Sequence, residues 1–155
     1  MISLSRILET GGVRLNLEAR KKKEALIEMV DLLYRAGRIQ DPATLSEALI
    51  AREKSVSTGI GDGIAIPHAM ISGISETLLA FGRKREGLPF DALDGKPVQL
   101  VFLLAGPEKQ ELTHLQLLSR LARFLKDDRF KTALLAAETE EEVLKIFREQ
   151  EKKEA

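Results

Sequence analysis

Two histidines, one arginine and a glycine-rich run are the parts of this 155-residue chain whose types and spacing could do chemistry. From Ser57 to Ala69 the chain reads Ser-Thr-Gly-Ile-Gly-Asp-Gly-Ile-Ala-Ile-Pro-His-Ala. Glycines 59, 61 and 63 permit φ > 0 and let amide N–H groups approach an anion closely. Ile64 to Ile66 is apolar and β-branched enough for a buried strand. Pro67 fixes φ and donates no hydrogen bond, so it should end that strand and leave His68 emerging at its carboxyl end. Arg52 lies just ahead of the loop, and His114 lies in the first turn of a later helix. A transferred phosphoryl group requires such a set: a neutral imidazole nitrogen as nucleophile, with N–H donors or a guanidinium to meet the incoming charge. Taken singly, each residue has an ordinary structural role: a histidine at a strand end, a solvated ring at a helix start, an arginine that buries its stem. Together they point to His68 as a covalent phosphoryl acceptor, Thr58, Gly59, Ile60 and Gly61 as phosphate contacts, and a neutral His114 as an N–H donor to His68 or its phosphate.

Spacing removes several other chemistries. Gly59-Ile-Gly61-Asp-Gly63 has the wrong interval for a dinucleotide loop and follows a helix, not a strand. Gly95-Lys96 runs into Pro97, so no Walker loop exists, and neither GxSxG nor HExxH occurs. Two histidines are too few for a typical three-ligand zinc site unless a carboxylate such as Asp62 or Glu111 is added. With no cysteine, disulfides, thiolate nucleophiles and Cys-ligated metals are all absent.

The elements that must position these residues can be read from periodicity. Ile2 to Leu8 is a short amphipathic segment, and Val13 to Leu17 alternates as a strand. A helix is expected from about Arg20 to Ala36, with Leu26, Met29, Val30 and Leu33 on one face and Gly37 as its stop. Asp41 followed by Pro42 starts a second helix through about Glu53, on which Leu45, Leu49 and Arg52 share the buried stripe. Leu78 to Arg85 and Val98 to Leu104 read as strands, the second apolar enough for a sheet centre. Gly87, Pro89, Asp94-Gly95 and Pro97 mark a loop between them. Thr113 to Lys126 returns to helix, with Leu115, Leu118, Ala122 and Leu125 as its packing stripe. Asp128 to Ala137 and Thr139 to about Glu149 are helices, the last opened by Thr139 and Glu142 in capping-box spacing. Residues from about 150 to 155 should fray.

Bulk properties agree with one α/β domain spanning residues 1–155. A chain this long buries about 70% of the surface its unfolded form exposes. Hydrophobic residues make up 44% and charged residues 31%, the balance of a globular protein. Twenty-four basic residues offset 24 acidic ones, which argues against a non-specific nucleic-acid binder. The apolar runs are far shorter than the roughly 20 residues needed to span a bilayer, and no export signal is visible, so a cytoplasmic location without membrane insertion is expected. The charge runs Arg20 to Lys23 and Glu140 to Glu142 read as solvated helix starts.

The stretch Ser57-Thr58-Gly59-Ile60-Gly61 through Gly63-Ile64-Ala65-Ile66-Pro67-His68 resembles the active-site signature of a known family. That family is the enzyme IIA domains of the phosphoenolpyruvate-dependent sugar phosphotransferase system, in the fructose/mannitol and nitrogen-regulatory branch. Lys23-Glu24-Ala25-Leu26, Arg52-Glu53 and Thr113-His114-Leu115 resemble its pattern too, and the likeness extends over nearly the whole chain. The resemblance implies a mixed β-sheet flanked by helices on both faces. It implies that His68 accepts a phosphoryl group from a phosphohistidine carrier such as HPr or its nitrogen-branch relative, supported by His114 and Arg52, with no cofactor. In sugar-transporting members the group passes to a cysteine of a IIB domain and then to sugar at a membrane IIC domain; here both are expected on separate subunits. Met70 and Ile71 would form a rim for the carrier. The alternative is a regulatory binding module whose phosphorylation state alters contact with a target protein; a metal hydrolase is a third, weaker reading.

Overall fold

The computed structural model describes residues 2–154. In chain order these form α1 (Leu4–Gly11), β1 (Val13–Arg14), α2 (Lys22–Arg35), α3 (Pro42–Ser55), β2 (Gly59–Gly61), β3 (Ile64–Ala65), β4 (His68–Ile71), β5 (Leu78–Leu88), β6 (Val98–Pro107), α4 (Glu111–Leu125), α5 (Asp128–Ala136) and α6 (Glu140–Glu154). Local chemistry sets several boundaries. Asp41 accepts the Thr44 N–H at the start of α3 with Pro42 at the first helical position, and Gly37 takes φ 74° just past α2.

One mixed sheet runs β1-β5-β6-β3-β2, and β4 also pairs with β6. Its centre is the long antiparallel pair β5 and β6, with Phe81 opposite Phe102. Alternation along the strands makes two cores, as the expected helix–sheet–helix layering requires. Ala65, Leu78, Ala80, Val101 and Leu103 face α2 and α3. Ile64, Ile66, Leu79, Phe81, Leu100 and Phe102 face the helices α1, α4, α5 and α6. Phe124, Phe130 and Phe147 close the second core with edge-to-face contacts, at 5.5 Å between the Phe124 and Phe130 rings.

Four expectations are corrected by the fold. Pro67 interrupts its strand without ending it: β3 pairs with β6 at Leu100 and Val101, and β4 resumes the pairing from His68 opposite Leu104. The proline needs no N–H there, and its carbonyl still accepts from Leu104 at 3.0 Å. The stripe on α4 is His114, Leu117, Leu121 and Phe124, whereas Leu115 is 63% exposed. On α3 the buried stripe is Leu45, Leu49 and Glu53, and Arg52 is exposed. Finally, the segment after Glu149 does not fray within the described residues. The Glu151 carboxylate accepts the Leu4 and Ser5 N–H groups at 3.0 Å and so caps α1, while Arg120 pairs with Glu154 at 2.8 Å.

Candidate active site

His68 opens β4, a short strand that among the described residues pairs only with β6. Ala69 and Ile71 turn toward α2 and α3, so by alternation His68 and Met70 turn to the α4 side. The His68 ring is half-buried, and its Nδ1 lies 2.7 Å from the Ile66 carbonyl. A carbonyl only accepts, so Nδ1 carries the proton and Nε2 keeps the lone pair in the neutral ring. The break at Pro67 is what lets a side chain bond back to a carbonyl two residues earlier.

His114 sits one turn into α4 and is 5% exposed. Its ring centroid lies 5.7 Å from that of His68, with the planes tilted by 46°. Gly106 admits the ring: a Cβ there would stand 2.9 Å from His114 Nδ1. That Nδ1 is buried with no hydrogen-bond partner among the described residues. An imidazolium needs acceptors at both nitrogens, so this pocket favours the neutral ring. Burial above all, then the His68 and Arg52 charges, push the His114 pKa down to about 4. Burial is also the largest influence lowering His68; the Ile66 carbonyl works against it, Arg52 adds to it, and Glu53 opposes.

Arg52 therefore stands close enough to both rings for its charge to be felt, yet on the solvent side. It makes no ion pair among the described residues. A guanidinium without a carboxylate partner and within electrostatic reach of two neutral imidazoles is a ready receiver of an anion.

The glycine run does a different job from the one its composition suggested. Asp62 (φ 55°) and Gly63 (φ 76°) form the two-residue turn of the β2–β3 hairpin, and Gly61 (φ 99°) is its bulge. A Cβ on Gly59 would lie 2.9 Å from Ala92. Since Gly61 pairs with Ile64, the register carries it roughly 13 Å along the strand from His68, and Ile60 points to solvent. Thr58 is nearer, because its carbonyl accepts the Ile66 N–H at 3.0 Å, but its own N–H and hydroxyl are engaged by Glu53. The structure thus brings His68 and His114 together, with Arg52 within electrostatic reach of both, and does not aim Ile60 or Gly61 at them. Sequence reasoning passed over Gly106 and gave Glu53 no role beyond its place in the Arg52-Glu53 pair; the i, i+4, i+8 spacing of Leu45, Leu49 and Glu53 was the available signal for its burial.

One consequence is measurable without any ligand. Between pH 6.5 and about 4 the unfolded chain protonates at residue 114 while the native ring stays neutral, so stability falls as pH falls through that window. The His114 contribution to that loss is about 3 kcal/mol. Urea unfolding at pH 7 and pH 4.5 is expected to show a steeper loss for the wild type than for His114→Gln; equal losses would contradict the neutral buried ring.

Among the described residues no three His, Asp or Glu side chains converge as metal ligands, and no helix is long and apolar enough to cross a membrane. Residues 6–150 match the family described as phosphoenolpyruvate-dependent sugar phosphotransferase system, EIIA 2. The fructose-specific EIIABC component of Bacillus subtilis is 38% identical over 97% of this chain, which spans 24% of that relative's length. A nitrogen regulatory protein of Pseudomonas aeruginosa is 39% identical, covering 94% of this chain and 95% of the relative. The crystal structure of nitrogen regulatory protein IIA-Ntr from Neisseria meningitidis superposes with a TM-score of 0.86 at 39% identity, over 93% of this chain and 98% of that one.

Proposed function

Starting from the family to which this chain belongs, the EIIA 2 family of the phosphoenolpyruvate-dependent sugar phosphotransferase system, we propose that His68 is its phosphoryl acceptor and that Nε2 is the attacking atom. What carries this reading is the bond from Nδ1 to the Ile66 carbonyl, which commits one nitrogen as donor and leaves the other as nucleophile. The lone pair of Nε2 forms an N–P bond as the N–P bond to the donor's imidazole breaks, and the electron pair returns to that donor nitrogen. The donor is an HPr-like phosphocarrier. Arg52 meets the phosphoryl oxygens from the solvent side, and His114, kept uncharged by burial, approaches His68 without repelling it.

From His68 the group moves on to the cysteine of a IIB partner, with a IIC component passing it to sugar. A second reading is favoured by the nitrogen regulatory relatives, at 39% identity in sequence and a TM-score of 0.86 in structure: the phosphorylated and free forms differ in their hold on a target protein. Immobilised protein in both forms separates the two, since a relay retains only its carriers whereas a regulator retains a target in one form.

Incubation with phosphoenolpyruvate, enzyme I and an HPr-type carrier tests acceptance directly, read as an acid-labile gain of mass. No gain from any such carrier would overturn it. In the same assay Arg52→Ala is expected to slow uptake about 100-fold, the usual effect of removing one group that stabilises developing negative charge, with the fold unchanged because the side chain is exposed.

A further inference from the structure

Glu53 is a buried charge beside the site that phosphoryl acceptance does not yet use. Its side chain is 5% exposed, and its Oε2 lies 2.7 Å from Lys22 Nζ at the start of α2. The carboxylate accepts the Thr58 N–H at 3.1 and 3.2 Å and also the Thr58 hydroxyl. The Thr58 carbonyl accepts the Ile66 N–H at 3.0 Å, and the Ile66 carbonyl accepts Nδ1–H of His68 at 2.7 Å. Three sets of hydrogen bonds, linked through the backbones of Thr58 and Ile66, therefore join the carboxylate to the imidazole. Neighbours brace its far end: Lys22 Nζ stands 5.1 Å from the centroid of the Phe90 ring, and the Ser57 hydroxyl donates to the Phe90 carbonyl at 2.9 Å.

We propose that Glu53, acting through Thr58 and Ile66, is a positioning residue that fixes the tautomer and orientation of the His68 ring, with Lys22 holding the carboxylate in place. A buried ion pair is often no more stabilising than apolar residues of the same volume, so stability alone gives little reason for charge here. What a carboxylate supplies, and an apolar residue cannot, is an acceptor for both Thr58 donors at once. Holding those donors fixes Thr58 in place, its carbonyl anchors Ile66 through the Ile66 N–H, and the anchored residue carries the carbonyl that is aimed at Nδ1. Groups behind a reactive imidazole commonly select its tautomer in this way. For catalysis this role matters only if His68 accepts phosphoryl groups as proposed above, but the tautomer can be read without any transfer.

The test is ¹⁵N NMR of the His68 ring in the full, unphosphorylated chain for wild type, Glu53→Gln, Thr58→Val and Thr58→Ser, beside uptake kinetics from the phosphorylated carrier. The wild type should show Nδ1 protonated alone. Glu53→Gln and Thr58→Val should show mixed tautomers and an uptake kcat lowered about 10-fold, the typical loss from such supporting groups, with KM for the carrier unchanged. Thr58→Ser should recover most of what Thr58→Val loses. A folded Glu53→Gln variant with wild-type ring shifts would overturn the proposal. If that variant fails to fold, wild-type ring shifts in Thr58→Val overturn it instead. If the wild type takes up no phosphoryl group at all, acceptance by His68 fails, and the ring shifts still decide the part played by Glu53.

Discussion

His68→Gln is expected to end phosphoryl uptake while leaving a folded protein. Glutamine is close to histidine in size, and its amide can donate to the Ile66 carbonyl in place of Nδ1, so the cost in stability should be within about 1 kcal/mol. What it lacks is a basic nitrogen lone pair. Removing the nucleophile of a covalent transfer leaves no other group to form the bond, so the loss should exceed about 10⁴-fold. His114 and Arg52 only assist in the proposed geometry. Their variants should lose about 100-fold each, because each supplies one interaction to a charge that the remaining groups still meet. The ordering is therefore the diagnostic: complete loss at 68, partial loss at 114 and 52, read as acid-labile mass gain over time. Uptake that persists in His68→Gln and vanishes in His114→Gln would hand the acceptor role to the other imidazole and overturn the proposal.

Arg83→Met is expected to do the reverse, damaging the fold and sparing the chemistry. Arg83 lies in β5 and is 2% exposed. Its Nη1 donates to the carbonyls of Leu134 at 2.9 Å and Ala137, at the end of α5, and its Nε donates to the Leu15 carbonyl at 3.1 Å. It pairs with no carboxylate among the described residues. The negative end of the α5 dipole and its orphaned carbonyls take that place. Methionine fills a similar volume but donates nothing, so at least the buried Leu134 carbonyl and the half-buried Leu15 carbonyl lose this partner. Arg85 reaches Leu135 and Ala137 as well and limits the loss there. The expected destabilisation is about 3 kcal/mol, or roughly 10 °C in Tm for a chain of this size, measured by urea and thermal unfolding. A shift below about 1 kcal/mol would mean that water satisfies those carbonyls. Arg83 lies opposite Leu100 and His68 opposite Leu104, so uptake by the folded fraction should be unchanged.

Much of the molecule could be read along the chain because its causes are local. Asp41 and Pro42 open α3, Gly37 follows α2, and the apolar run at β6 needs no partner to announce a central strand. The paired His68 and His114, and Arg52 within electrostatic reach of them, were likewise visible from their types, two of them flanking the glycine run and the third opening a later helix. Other features were not, and each failed for a reason that can be named. The segment Leu-Thr-His-Leu-Gln-Leu-Leu-Ser-Arg-Leu offers two leucine stripes of nearly equal strength. Contact with the sheet chose the one through Leu117 and Leu121, which drew His114 inside and left Leu115 in water. On α3 the residue sealed in is Glu53 and not Arg52, because Thr58, folded back just past the helix, and Lys22, brought from α2, can satisfy a carboxylate there. The glycines that resembled an anion cradle are used by a hairpin turn and by the close approach of Ala92. Residues after Glu149 stay helical because Arg120 and the start of α1 wait for Glu151 and Glu154. Backbone preference and hydrophobic period are properties of neighbours in the chain. Which of two similar faces is buried, and which charge is answered, depends on groups that only folding brings into reach.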